Sequence, residues 1–134
     1  MTVFSPWTDL TLSGDSMTTN EAIDPLVNRM LLKQMADGYL GDHDPADPLA
    51  SPVLADLSGL PPLLLQVGSS EVLEDDAVRI ADRVRAAGGQ ADLQIGYEMV
   101  HVFQMFADRL PEAERAIDAI GEFVGSTVRA GIPA

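Results

Sequence analysis

Cysteine is absent from the 134 residues, and with it go disulfide bridges, thiolate metal sites and a cysteine nucleophile. Basic residues are scarce. Eight Lys and Arg stand against 21 Asp and Glu, a formal net charge of -13. A field of that sign repels phosphate backbones and anionic membrane surfaces, so nucleic acid is excluded as a partner. No apolar run approaches the roughly 18 residues of a membrane span. Met1–Pro6 has no basic stretch leading into an apolar one, as a secretory leader would. These absences predict a soluble, cytoplasmic protein without a membrane span. Internal repeats and low-complexity tracts are also missing.

What remains is ordinary globular material. The chain is 46% hydrophobic and 22% charged, which suits a single domain over 1–134 with a real core. Thr2-Val3-Phe4 reads as the tail of a strand, closed by Ser5-Pro6, because proline cannot donate to a ladder. A chain starting inside a strand points to an upstream segment that is missing. Trp7–Glu21 reads as loop. Asp24-Pro25 then offers an N-cap followed by proline at the first helical position. Leu26, Met30, Leu31 and Met35 extend the pattern to about Tyr39, predicting a helix over 25–39. The proline-rich stretch 42–62 is a rigid connection.

Leu63-Leu64-Leu65-Gln66-Val67, bounded by Pro62 and Gly68, has the length and apolar content of a buried parallel strand. Val78, Ala81, Val84 and Ala87 mark an amphipathic helix near 75–87, stopped by Gly88-Gly89. Ala91–Ile95 alternates as a strand. A last helix near 111–129 places Ala113, Ala116, Ile117, Ile120, Phe123 and Val124 on one face. Strand, helix, strand, helix implies an α/β protein with a parallel sheet, whose working residues lie past the carboxyl ends of its strands.

That rule selects Glu71 after one strand and His101 after the next, 30 residues on. A carboxylate beside an imidazole orients the ring and stabilises its protonated form, so the two make an acid–base pair that needs a nucleophile. The bland reading of Glu71–Asp76 is the acidic first turn of a helix, and that of His43 is a solvated loop. Gly14-Asp15-Ser16-Met17-Thr18 imitates a Gly-x-Ser-x-Gly elbow, but the second glycine and the strand-to-helix setting are absent. Ser16 is rejected as a nucleophile.

Four motifs occur in order: Ser5-Pro6-Trp7-Thr8-Asp9-Leu10, Asp47-Pro48-Leu49-Ala50-Ser51-Pro52, Leu60-Pro61-Pro62-Leu63-Leu64-Leu65-Gln66-Val67-Gly68 and Met99-Val100-His101-Val102-Phe103. From Val3 to about Val128 the chain resembles the C-terminal part of the hormone-sensitive-lipase-like bacterial esterases, an α/β-hydrolase group. The resemblance implies a partial α/β-hydrolase fold with about three mainly parallel strands, the family's sixth to eighth, flanked by helices. It implies that His101 is the triad base and that the acid lies in the Gly68–Asp75 turn. Many relatives carry Asp then Glu where this chain has Ser70-Glu71, so Glu71 is the expected acid and Asp75 the alternative. Similar esterases act on short-chain carboxylic esters with no metal or organic cofactor.

The family's His-Gly-Gly-Gly and Gly-Asp-Ser-Ala-Gly segments are not among these residues. The chain is therefore expected to be an ester hydrolase fragment, not competent alone and completed by the missing half. The rival expectation is a catalytically inactive oligomerisation or interaction module. Either way a homo-oligomer is expected, because Thr2–Phe4 would present an unpaired edge. The resemblance adds that relatives can dimerise at the Ala91–Ile95 side.

Overall fold

In the computed structural model, which describes residues 1–131, three parallel strands form one sheet in the order β1-β2-β3. These are β1 (Thr2–Phe4), β2 (Leu63–Gly68) and β3 (Ala91–Gly96). The register sets Val3 against Leu65, and Leu65 against Leu93. β2 is the central strand and is buried along its length. This explains an apolar run with no alternation: both faces of a central parallel strand are covered.

Four helices accompany the sheet: α1 (Ser16–Thr19), α2 (Arg29–Leu40), α3 (Glu74–Ala86) and α4 (Pro111–Gly131). α3 is the crossover from β2 to β3. Its Ile80, Ala81 and Val84 pack with Leu63 and Leu65 and with Val53 and Leu57 of the proline-rich connection. On another side Ala113 and Ala116 of α4 pack against Phe103. A third cluster, Leu12, Met17, Leu32, Val72 and Leu73, joins the Trp7–Glu21 segment and α2 to the turn after β2.

The strands and the last two helices lie where the sequence predicts, to within a residue or two. α2 does not. It begins at Arg29, with Asn28 as N-cap accepting from the Leu31 N–H at 2.9 Å. Asp24 caps a separate turn, taking the N–H groups of Leu26 and Val27, and its other oxygen accepts from Val72 N–H at 2.9 Å. The buried face of α2 is Leu32, Ala36 and Leu40, whereas Leu26, Met30, Leu31 and Met35 are exposed. The expected apolar face thus points outward. Trp7–Glu21 is also less irregular than expected, since it contains α1.

Candidate active site

The carboxyl ends of all three strands meet in one buried hydrogen-bonded junction. After β2, the chain turns so that the Glu71 carboxylate folds back on its own strand, and Oε1 accepts from Gly68 N–H at 2.6 Å. After β3, the chain passes through Glu98 and Val102, both at positive φ, and His101 lies between them. Left-handed backbone is costly for a β-branched residue such as Val102, of order 1–3 kcal/mol, and is held only where the surroundings over-determine it.

The surroundings do so here. Ser69 N–H donates to Gly96 O, Ser70 N–H to Met99 O, and Glu98 N–H to Ser69 Oγ, stitching the acid turn to the histidine loop. The two run so close that a Cβ on Gly68 would sit 2.1 Å from the Met99 carbonyl oxygen. Only glycine permits that approach.

The result is a direct contact between His101 Nδ1 and Glu71 Oε2 at 2.9 Å. Glu71 is fully buried, while the His101 side chain keeps 29% of its surface exposed. A carboxylate can only accept, so Nδ1 carries the proton and Nε2 is left with its lone pair. The hydrogen bond to Glu71 raises the His101 pKa above its ordinary 6.5; burial opposes the rise, and the charges of Glu71 and Asp24 add to it. Such a ring can take a proton at Nε2 and hold it, which is what general-base chemistry asks of it.

Glu71 and His101 are thus brought together. Asp75 is committed elsewhere: its Oδ2 accepts from Ser16 N–H at 2.9 Å. Ser16 is buried, its hydroxyl donating to Val72 O at 2.6 Å and accepting from Asp75 N–H at 3.0 Å. That hydroxyl is a structural clamp between α1 and the start of α3. His43 lies on the proline-rich connection, among exposed residues.

Three contributors escaped sequence reasoning. Ser5, at the end of β1, donates to Glu71 Oε1 at 2.7 Å and accepts from Val102 N–H at 3.0 Å. Asn20 donates to Glu71 O at 2.9 Å. Asp24, read as a helix cap, holds the residue after Glu71. The signal for Ser5 and Asp24 was their place next to proline in a strand-end or cap context; the partners lie 66 and 48 residues away.

Two further acids are buried, Asp76 and Asp9. Asp76 takes the N–H groups of Thr8 and Asp9 on one oxygen, at 2.7 and 2.8 Å, and its Oδ1 has no hydrogen-bond partner among the described residues. Burial pushes its pKa up to about 6 despite those bonds, with the Asp9 charge adding to the rise. Burial would raise Asp9 too, but hydrogen bonds from Ser13, Thr11 and Arg79 hold it at about 2. The Ser5–Leu10 motif is thereby tied to α3, and Leu10 N–H donates to Ser51 Oγ of the Asp47–Pro52 motif. Among the described residues no group of His, Asp and Glu is placed to hold a metal ion, and no helix is long and apolar enough to cross a membrane.

Comparison with known proteins gives this geometry a setting. The family described as alpha/beta hydrolase fold matches residues 1–105. An acetyl-hydrolase of Streptomyces hygroscopicus is 44% identical over 128 residues, covering 96% of this chain and 43% of the relative. An esterase of Acinetobacter venetianus is 39% identical over 125 residues, covering 92% and 41%. The crystal structure of an esterase from the bacterial hormone-sensitive lipase family superposes with a TM-score of 0.92 at 49% identity, over 95% of this chain and 43% of that one. The chain spans less than half the length of these relatives.

Proposed function

Since the chain belongs to the α/β-hydrolase fold family, within its hormone-sensitive-lipase esterase group, we propose that it supplies the acid–base half of a serine carboxylic ester hydrolase. The observation that carries this reading is the contact of a fully buried carboxylate with the Nδ1 of a part-exposed imidazole, at 2.9 Å. In that role Glu71 fixes the tautomer and stabilises the imidazolium. His101 Nε2 takes the proton of a serine hydroxyl as it attacks an ester carbonyl, then returns it to the departing alkoxide. In the second half-reaction Nε2 deprotonates the water that hydrolyses the acyl-enzyme.

No Gly-x-Ser-x-Gly elbow stands in the 134 residues, so this reading assigns the nucleophile and the oxyanion donors to a complementary polypeptide segment. Without those donors the tetrahedral intermediate loses about 3–4 kcal/mol per donor. Short-chain esters are the proposed substrates, by likeness to the acetyl-hydrolase and esterase relatives.

The test is hydrolysis of p-nitrophenyl acetate by the 134-residue chain alone, and by the same chain fused behind the nucleophile-bearing part of the Streptomyces relative. Alone, it should not exceed a His101→Ala control. Fused, it should turn over, and lose about 10^6-fold in kcat with His101→Ala and about 10^4-fold with Glu71→Gln. Turnover by the fusion that ignores His101→Ala would refute the assignment.

A further inference from the structure

The Ser5 side chain does more than end a strand. It is 4% exposed and sits at φ +41°. A turn of that hand is cheapest for glycine, so a serine there is explained by its hydroxyl and not by its backbone. The hydroxyl has one proton, which goes to Glu71 Oε1 at 2.7 Å. Its lone pair is then what receives the Val102 N–H at 3.0 Å. One atom therefore links the acid to the residue that follows the base. With Gly68 N–H on the same Oε1 at 2.6 Å, the carboxylate plane is fixed and Oε2 is left for the imidazole. Val102, at φ +49°, is the strained point of the histidine loop that this bond secures.

We propose that Ser5 is a positioning residue: its hydroxyl locks the Glu71 carboxylate and the His101 loop to each other, holding the imidazole in one tautomer and one orientation. The catalytic consequence rests on the reading of Glu71 and His101 as an acid–base pair, whereas the positioning itself does not.

The experiment is nuclear magnetic resonance of the protein with 15N-labelled histidine, in the native chain and as Ser5→Ala and Ser5→Gly. Glycine keeps the backbone turn and removes the hydroxyl alone. The native protein should show a protected Nδ1 proton on His101. In both variants that signal should broaden away, and the His101 titration midpoint should fall towards the ordinary histidine value while the backbone spectrum stays folded. The groups facing the ring, Glu71 and Asp24, are unchanged in these variants, so the fall reports geometry. In the fused hydrolase kcat should drop about 10–100-fold with KM within about twofold. An unaltered Nδ1 signal and midpoint in folded Ser5→Gly would overturn the proposal, as would loss of the fold in both variants. If the ring responds while the fusion's activity ignores His101→Ala, the catalytic reading fails and the positioning stands.

Discussion

Asp76 and Asp9 are neighbours with opposite responses to burial. Asp76, raised to about 6, favours the folded state fully below its ordinary 3.8, and that contribution is lost as pH rises through about 6. Asp9, held at about 2, contributes above 3.8 and fails only as pH falls through about 2. His101 is also raised, but its window opens above 6.5 and is separate. Urea melts should therefore show stability falling by on the order of 2–3 kcal/mol between pH 4 and 6.5 on account of Asp76. Asp76→Asn should flatten that slope, because an amide carbonyl still accepts from Thr8 and Asp9. Equal slopes in the two proteins would show that Asp76 is not the group responsible. At this scale the sequence made Glu71 and His101 legible, since both follow strand ends one crossover apart. It hid Asp76, which reads as one more acid in a helix's first turn and becomes distinctive only when Thr8 and Asp9 close over it.

Among the elements, β2 carries the most constraint because the histidine loop crosses its end. Gly68→Ala would drive a methyl group into the Met99 carbonyl, an atom of the backbone that cannot swing aside. The variant should lose more than about 2 kcal/mol and the His101–Glu71 contact with it. Gly121→Ala is the control: its added Cβ meets nothing within 4 Å. It sits in the interior of α4, so alanine there should stabilise by up to about 1 kcal/mol. Denaturant midpoints of the pair decide the matter, and similar losses in both would remove the crowding argument. β2, α3 and β3 were readable because Pro62, Gly68 and Gly88-Gly89 punctuate them. The start of α2 was not, for a physical reason: Asp24 and Asn28 are equally good caps. Both are used: Asn28 caps α2, while Asp24 caps a separate turn and holds Val72 N–H from across the fold. Nor could periodicity show which side of α2 is covered, as Leu26, Met30 and Met35 are spaced as well as Leu32, Ala36 and Leu40.

At the scale of the whole sheet, β1 has a partner on one side only among the described residues. Next to it is a hollow of about 300 Å3 lined mostly by apolar side chains, among them Met1, Val3, Pro6, Leu57, Leu60 and Ile80. Phe4 is 39% exposed at the same edge. Unpaired ladder groups beside apolar surface favour pairing with another chain, and burial returns roughly 25 cal/mol per Å2. The net charge of -13 opposes this, but screening at physiological salt confines the repulsion to about 8 Å. Sedimentation of the 134-residue chain should show association that strengthens with salt and weakens in Phe4→Asp. A monomer at high micromolar concentration would contradict it.

The bond between Ser5 and Val102 also joins an early and a late part of the chain as it is synthesised. Its ends are 97 residues apart in the chain, so closing it carries an entropy cost that grows slowly with length but must be met before the contact gives anything back. β1 leaves the ribosome ahead of Leu63–Gly68, its partner in the ladder. Glu71 precedes His101 by 30 residues, so Ser5 is available to its carboxylate before the imidazole is. The histidine loop is the last piece of this junction to be made, and in the folded protein it meets the one oxygen of Glu71 that Ser5 and Gly68 leave open. A nascent chain halted before residue 101 carries Ser5, Gly68 and Glu71 but not the ring, so the second oxygen of Glu71 lacks its partner.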